Sequence, residues 1–473
     1  MTISFKNRVF FILPIILLML SPVKAQKTFT IRFDSSKEVS GQKFALRDIS
    51  PGLPENWDDY NFVVLEFMIS TPQRFHVGFT TDQGYNELRV MSYIPGGWNK
   101  LAIPLKFYRQ LPGAATDLAA TYNQPRYTGW INLGGKRGLL HGVDSIGIRM
   151  RAPIGNPELK IRSVSLSVED PGDQYLGKKP VVNPFGQWNL GKFEGKINSF
   201  SQLKSEWKSE ESETVPSNPY NYSKFGGYLF ARQKATGFFR TEKVDGKWWC
   251  VDPEGYLFLS VGVDCVSPGG GGNVRDIDHR RNFFSELQQE IPGASPGILG
   301  GGISFGTWNL FRRYGEDFRE KSREMIILRM EKWGLNTIAN WSSPDVYGMN
   351  RKAFMLQMRG IGIEAGLMGL PDVYDPGFAG KVDAACKSFC EPYRDNPWLI
   401  GYFTANEPSW HGQEVRLCQM ILDGEDRPVK TALKAFLATS DTPERRKLFI
   451  FDTFRIFLLT VDEAIQKYDP NHL

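Results

Sequence analysis

The residues best suited to chemistry stand together in Leu399–Trp410, LIGYFTANEPSW, where a short apolar run delivers an Asn-Glu-Pro triplet. The run predicts a buried strand. A strand ending this way holds one carboxylic acid rigidly at the mouth of a sheet or barrel, where active sites are built. Glu407 is that acid. Cleaving a glycosidic bond takes a protonated carboxyl beside the leaving oxygen and a second carboxylate across the sugar ring, about 5 Å away when configuration is retained. Glu407 suits the first role. Asn406 beside it is placed to hydrogen-bond a ring hydroxyl, and Trp410 and His411 follow in the loop along which a substrate would lie. Trp341 and Asp264 stand at or near the predicted exits of earlier strands and are candidates to line a sugar subsite, packing under a loop being the competing duty of the Trp.

Other chemistries find less support. The loops Ser267–Gly272 (SPGGGG) and Leu299–Ile303 (LGGGI) do not continue into Gly-Lys-Ser/Thr, so they read as rim loops and not as phosphate cradles. His76, His141, His279, His411 and His472 show no His-x-x-x-His spacing, and no metal or other cofactor is expected. The five cysteines lie in the C-terminal half; Cys386 and Cys390, one helical turn apart, read as buried free thiols. Lys plus Arg exceed Asp plus Glu only by 57 to 52, which implies no polyanion and argues against nucleic acid as a partner.

The elements that must position these residues fall into blocks along the 473-residue chain. Lys6 and Arg8, an apolar run from Val9 to Leu20 and SPVKA ending at Ala25 predict a signal peptide over residues 1–25. The mature protein is therefore expected to be secreted or periplasmic, without a membrane association. Residues 26–170 alternate short β-type runs with Pro, Gly and Asn and predict an all-β sandwich of jelly-roll, carbohydrate-binding type. Its last run changes parity near Ser163, which predicts a β-bulge there. Trp57, Tyr60, Tyr85, Tyr93, Trp98, Tyr108, Tyr122, Tyr127 and Trp130 are candidates for stacking on sugars or for packing. Residues 171–226 turn polar and read as a connector.

From residue 227 to 473 the grammar becomes strand and helix in alternation, with the turn signals Asp245-Gly246 and Pro253-Glu254-Gly255 ahead of the first strand. Helices over about Asp317–Trp333 and Ala379–Tyr393, and another stopped by Gly360, each lead to an apolar strand: Asn336–Trp341, Leu399–Ala405 and Ile361–Gly366 respectively. This pattern predicts the first half of a (β/α)8 barrel, with four of about eight strands visible. Leu473 reads as the first residue of a fifth, and the chain as a truncated gene product or fragment.

GYFTANEPSW, GFFRTEKVDGKWWCVDPEGYLFLSVGVD, the connector NPFGQWNLGKFEGK and the terminal YDPNHL together resemble the agarase-like glycoside hydrolases of clan A. The resemblance implies a retaining enzyme, a sandwich joined to a barrel, a galactan substrate such as agarose, Glu407 as the acid/base and Asn406 as its substrate-contacting neighbour. It also implies a nucleophile at the end of a seventh strand, which no residue here can inherit; Glu364 is better suited to a rim or ion-pair role. Weak or absent activity of this chain is the expectation. Two alternatives stay open: a noncatalytic carbohydrate-binding protein, and a degenerate product whose fourth strand has an unpaired edge.

Overall fold

The computed structural model describes residues 28–109, 128–132, 137–213, 217–269, 271–274, 277–287 and 303–473. The expected leader, Tyr122, Tyr127 and residues 299–302 lie outside the described residues. The chain divides into two compact units, Met1–Lys196 with Asp276–Leu287, and Ile197–Arg275 with Gln288–Leu473.

The first unit is a sandwich of two antiparallel five-stranded sheets. One runs in the order β1 (Phe29–Arg32), β9 (Glu158–Ser167), β3 (Phe62–Ile69), β6 (Asn99–Pro104), β10 (Gln174–Tyr175). The other runs β2 (Val39–Ala45), β8 (Ser145–Arg151), β4 (Phe75–Thr81), β5 (Gly84–Ser92), β7 (Gly129–Asn132). Alternating residues from both sheets, among them Val63, Leu65 and Phe67 from one and Val77, Phe79 and Ile148 from the other, form a single buried core. The β-bulge falls where the parity change places it: Glu66 pairs with Ser163 and Phe67 with Ile161, leaving Arg162 as the extra residue. Trp57 and Tyr108 are fully buried. The Trp57 indole donates to the Pro54 carbonyl at 2.9 Å and the Tyr108 hydroxyl to the Val77 carbonyl at 3.1 Å, so these two rings pack and do not face sugar.

The second unit begins with a helix, α1 (Phe200–Ser212), capped by the Ser199 side chain. A four-stranded antiparallel sheet follows, in the order β11 (Tyr228–Arg232), β14 (Tyr256–Phe258), β13 (Lys247–Val251), β12 (Arg240–Val244). Its hairpin turns on Asp245 and Gly246, both with positive φ (49° and 78°), the turn that matches strand twist. Next comes β15 (Gly262–Val263), then a two-stranded ribbon of β16 (Asn273–Val274) and β17 (Ile303–Ser304). Two helices, α2 (Phe305–Tyr314) and α3 (Phe318–Lys332), lead to β18 (Thr337–Ile338) and then β19 (Ala353–Gln357). After α4 (Phe378–Cys390) and β20 (Leu399–Phe403), three helices close the chain: α5 (Glu414–Asp423), α6 (Pro428–Leu437) and α7 (Pro443–Tyr468).

Strands β15, β18, β19 and β20 form one parallel sheet in that sequential order. Gly262 is required where it stands, because a Cβ there would meet the Thr337 carbonyl oxygen at 2.2 Å. On one face Ile338, Phe354, Leu356 and Leu399 pack with Ile327 and Met330 of α3. On the other, Ala353 and Ile400 pack with Phe225, Phe239 and Phe258. Helices α4 and α7 meet through Val382, Cys386, Cys390, Phe457 and Val461.

The expected third strand needs correction. Residues 361–366 form turns, and the strand is Ala353–Gln357, which a helical reading had absorbed. Ala, Phe, Met, Leu and Gln carry no β-branch and favour helix locally, and the sheet on either side overrides that preference. The edge of β20 is also not bare: the Leu473 N–H donates to the Ile400 carbonyl at 3.3 Å and the Tyr402 N–H to the Leu473 carbonyl at 2.8 Å. The YDPNHL segment holds Leu473 there. The Asp469 carboxylate, fully buried, accepts from the Tyr402 hydroxyl and pairs with His472 Nδ1 at 2.7 Å, and His472 Nε2 lies 2.9 Å from the Asn396 carbonyl.

Candidate active site

Three of the four parallel strands leave the sheet through a residue in the left-handed region: Cys265 after β15 (φ 58°), Trp341 after β18 (φ 57°) and Glu407 after β20 (φ 44°). After β19 the chain turns on Gly360 and Gly362 (φ 76° and 101°) and on Met368 (φ 55°). Elsewhere the described non-glycine residues of positive φ are Ala152, three Asn and an Asp, and Asn and Asp are the types that tolerate this region. Trp, Glu, Met and Cys do not, and strain of this kind gathers where geometry matters more than stability.

The exits are tied together by backbone bonds. The Cys265 N–H donates to the Asn340 carbonyl at 2.8 Å, and the Ser343 N–H to the Val266 carbonyl at 2.7 Å. The loop carrying Glu407 is pinned on its far side: the Ser409 hydroxyl donates to the Met368 carbonyl at 3.2 Å, the Gln413 amide to the Ser409 carbonyl at 3.0 Å, and the Gly412 N–H to the Glu414 carboxylate at 2.7 Å. That carboxylate is held below its usual range by the N–H groups of its own residue and of Gly412. Trp410 anchors the loop from beneath. It is 3% exposed, with its ring 5.2 Å from Phe454 and 5.7 Å from Phe451. The expectation that Trp410 lies along the substrate is thereby corrected: the apolar surfaces of α5 and α7 draw the ring inward, where it packs and cannot stack on a sugar.

Asn406, Glu407 and His411 are exposed on this loop, and Asp264 is exposed at the exit of β15. Trp341 is 44% exposed, and its ring meets that of Phe403 edge to face at 6.4 Å. Phe403 pairs in register with Gln357, the last residue of β19. The Gln357 carboxamide oxygen is buried with no hydrogen-bond partner among the described residues, and so is that of Asn340, which is 4% exposed. One end of the parallel sheet thus gathers an exposed carboxylic acid, an aromatic wall and two unsatisfied amides, a combination suited to a hydroxyl-rich ring. Gln357 and Phe403 escaped notice in the sequence; the signal for Gln357 is the single polar residue closing an apolar strand.

No protein-family model matches the chain. It is 28% identical over 310 residues to Beta-agarase B of Vibrio sp. (strain JT0107), an alignment spanning 57% of this chain and 32% of that protein. Beta-agarase A of the same organism is 26% identical over 300 residues, spanning 54% and 30%. The chain is similar in sequence to both beta-agarases. It covers about a third of the length of those relatives. Solved structures give the fold: the agarase AgWH50C matches with a TM-score of 0.58 at 23% identity, covering 93% of this chain and 76% of that one. An exo-beta-agarase matches with a TM-score of 0.57 at 23% identity, covering 92% and 73%.

A cavity of about 250 Å³ opens between the 365–372 loop and helices α5 and α6, lined by Leu367, Leu370, Met420, Ile421, Arg427 and Lys430 among others. Neither Glu407 nor Trp341 lines it. Glu364, on the same loop system, is exposed and accepts the Gly360 N–H at 3.1 Å, a turn-forming role. Among the described residues there is no group of three His, Cys, Asp or Glu that could hold a metal ion, and no helix long and apolar enough to cross a membrane.

Proposed function

We propose that the chain is a glycoside hydrolase, or the acid/base-bearing part of one, acting on O-glycosidic bonds of an agarose-like galactan with Glu407 as the acid/base. The observation that carries the reading is the presentation of Glu407 by a strained residue at the exit of β20, at the same end of the sheet as the exposed Trp341. The four parallel strands in sequential order support one half of a (β/α)8 barrel, in which chemistry belongs at the carboxyl ends of the strands. Asn406 and His411 would contact the sugar from the loop, and Asp264 from the opposite side. In a retaining mechanism Glu407 gives its proton to the leaving oxygen and later takes one from water, while a second carboxylate holds the glycosyl group. The described strand ends offer no Glu for that second role, so turnover by these residues alone is expected to be weak. Export through the leader at residues 1–25 fits a polymer too large to enter a cell.

The second reading, sugar binding without cleavage, draws on the same facts: the aromatic wall and amides suffice to hold a ring, and one carboxylate does not suffice to cut it. Affinity electrophoresis in gels with and without agarose, combined with a reducing-end assay, separates the two. Retardation is expected for wild type and for Glu407→Gln, with any product release lost in the variant. Product release that survives Glu407→Gln removes that residue from the acid/base role, and unretarded migration of wild type removes the galactan.

A further inference from the structure

Strand β19 reads Ala353-Phe354-Met355-Leu356-Gln357, and its side chains alternate faces. Phe354 and Leu356 enter the helix-side core, whereas Ala353 and Met355 pack on the other face with Phe225 and Phe258. Gln357 therefore belongs to that second face, at its carboxyl end. Its register partner is Phe403, whose ring touches Trp341. The Gln357 carboxamide oxygen is buried and accepts nothing from the described residues. A buried acceptor is left unpaired in a folded protein rarely, and chiefly where something else completes it.

We propose that Gln357 is a positioning residue for the sugar: its amide oxygen accepts a hydrogen bond from a hydroxyl of the ring seated against Trp341 and Phe403. The inference rests on the carbohydrate-handling role given to this end of the sheet. It adds a specific chemistry to it. The aromatic wall takes the apolar face of a sugar and tolerates many rings, while a fixed acceptor in a desolvated position discriminates by the presence and direction of one hydroxyl.

The test uses the full chain and an agarose-derived tetrasaccharide, titrated calorimetrically into wild type, Gln357→Leu and Gln357→Glu. Gln357→Leu is expected to weaken binding about tenfold, the loss of one neutral hydrogen bond. Gln357→Glu, which keeps an acceptor oxygen in the same place, is expected to bind as wild type does. A mere packing role predicts the reverse ranking, because leucine fills the space and a carboxylate is penalised there. Should the Leu variant fail to fold, as judged by its thermal transition, Gln357→Ser takes its place with the same expectation. Undiminished binding by Leu or Ser overturns this inference and leaves the sugar-binding reading standing. Absence of binding by wild type overturns that reading, and this inference with it.

Discussion

The two ends of the parallel sheet treat the same kind of side chain in opposite ways. Asn336, entering β18, is saturated: its amide donates to the carbonyls of Gly226 and Leu259 at 3.0 and 2.9 Å and accepts from the Val261 N–H and the Thr337 hydroxyl at 2.8 and 3.0 Å. Asn340, four residues further along, is equally buried and its amide oxygen has no partner among the described residues. The entering end is plugged by Phe225, Phe239 and Phe258 against Ala353 and Ile400. The exit end shows strained residues, an exposed Trp and an exposed acid. One end is packed and saturated, and the other carries amide oxygens without a partner among the described residues.

The largest effect expected from this contrast is at the plug. Phe258→Ala should destabilise the second unit by about 4 kcal/mol in denaturant unfolding, the usual cost of a buried aromatic. Asn336→Ala should cost about 3 kcal/mol, because several buried backbone groups lose their partners together. The same change at Asn340 should cost less than about 1 kcal/mol, since its amide oxygen has no partner to lose among the described residues; equal costs at 336 and 340 would erase the contrast.

Acid sharpens the comparison further. Burial alone would raise the Asp469 carboxyl, but His472, Tyr402 and the Asn471 N–H hold it below the usual carboxylate range. A depressed value in the folded state means that this stabilisation is complete above the unfolded value of about 4 and is lost as pH falls through the lower folded one. Unfolding followed between pH 6 and 2 should show that loss in wild type, and Asp469→Asn should be less stable at pH 6 with a flatter pH dependence. The remaining effect is a gain. Glu407→Gly relieves a left-handed side chain and should raise stability by about 1 kcal/mol while removing the acid; a loss of stability would show that Glu407 holds the loop together.

Much of this was legible in the sequence because it was written in local chemistry. The Asp245-Gly246 turn, the bulge at Arg162–Ser163 and the strand before Glu407 each follow from a turn residue, a parity change or an apolar run. The third strand was hidden, since AFMLQ is a helix former that only its neighbours make extended. Trp410 was misjudged because position in a loop says nothing of which way a ring turns once α5 and α7 offer apolar surface. Gln357 offered one faint sign, a lone polar residue closing an apolar strand, but an unpaired acceptor is a property of three-dimensional surroundings that the letter Gln does not carry.

The most direct measurement is a crystal structure of Glu407→Gln with the agarose-derived tetrasaccharide. Sugar rings are expected at the exit ends of β18, β19 and β20, one against Trp341, with a glycosidic oxygen within hydrogen-bond reach of residue 407. Sugar bound only on the sandwich, or at the exit ends with residue 407 turned away from every glycosidic oxygen, would contradict that expectation.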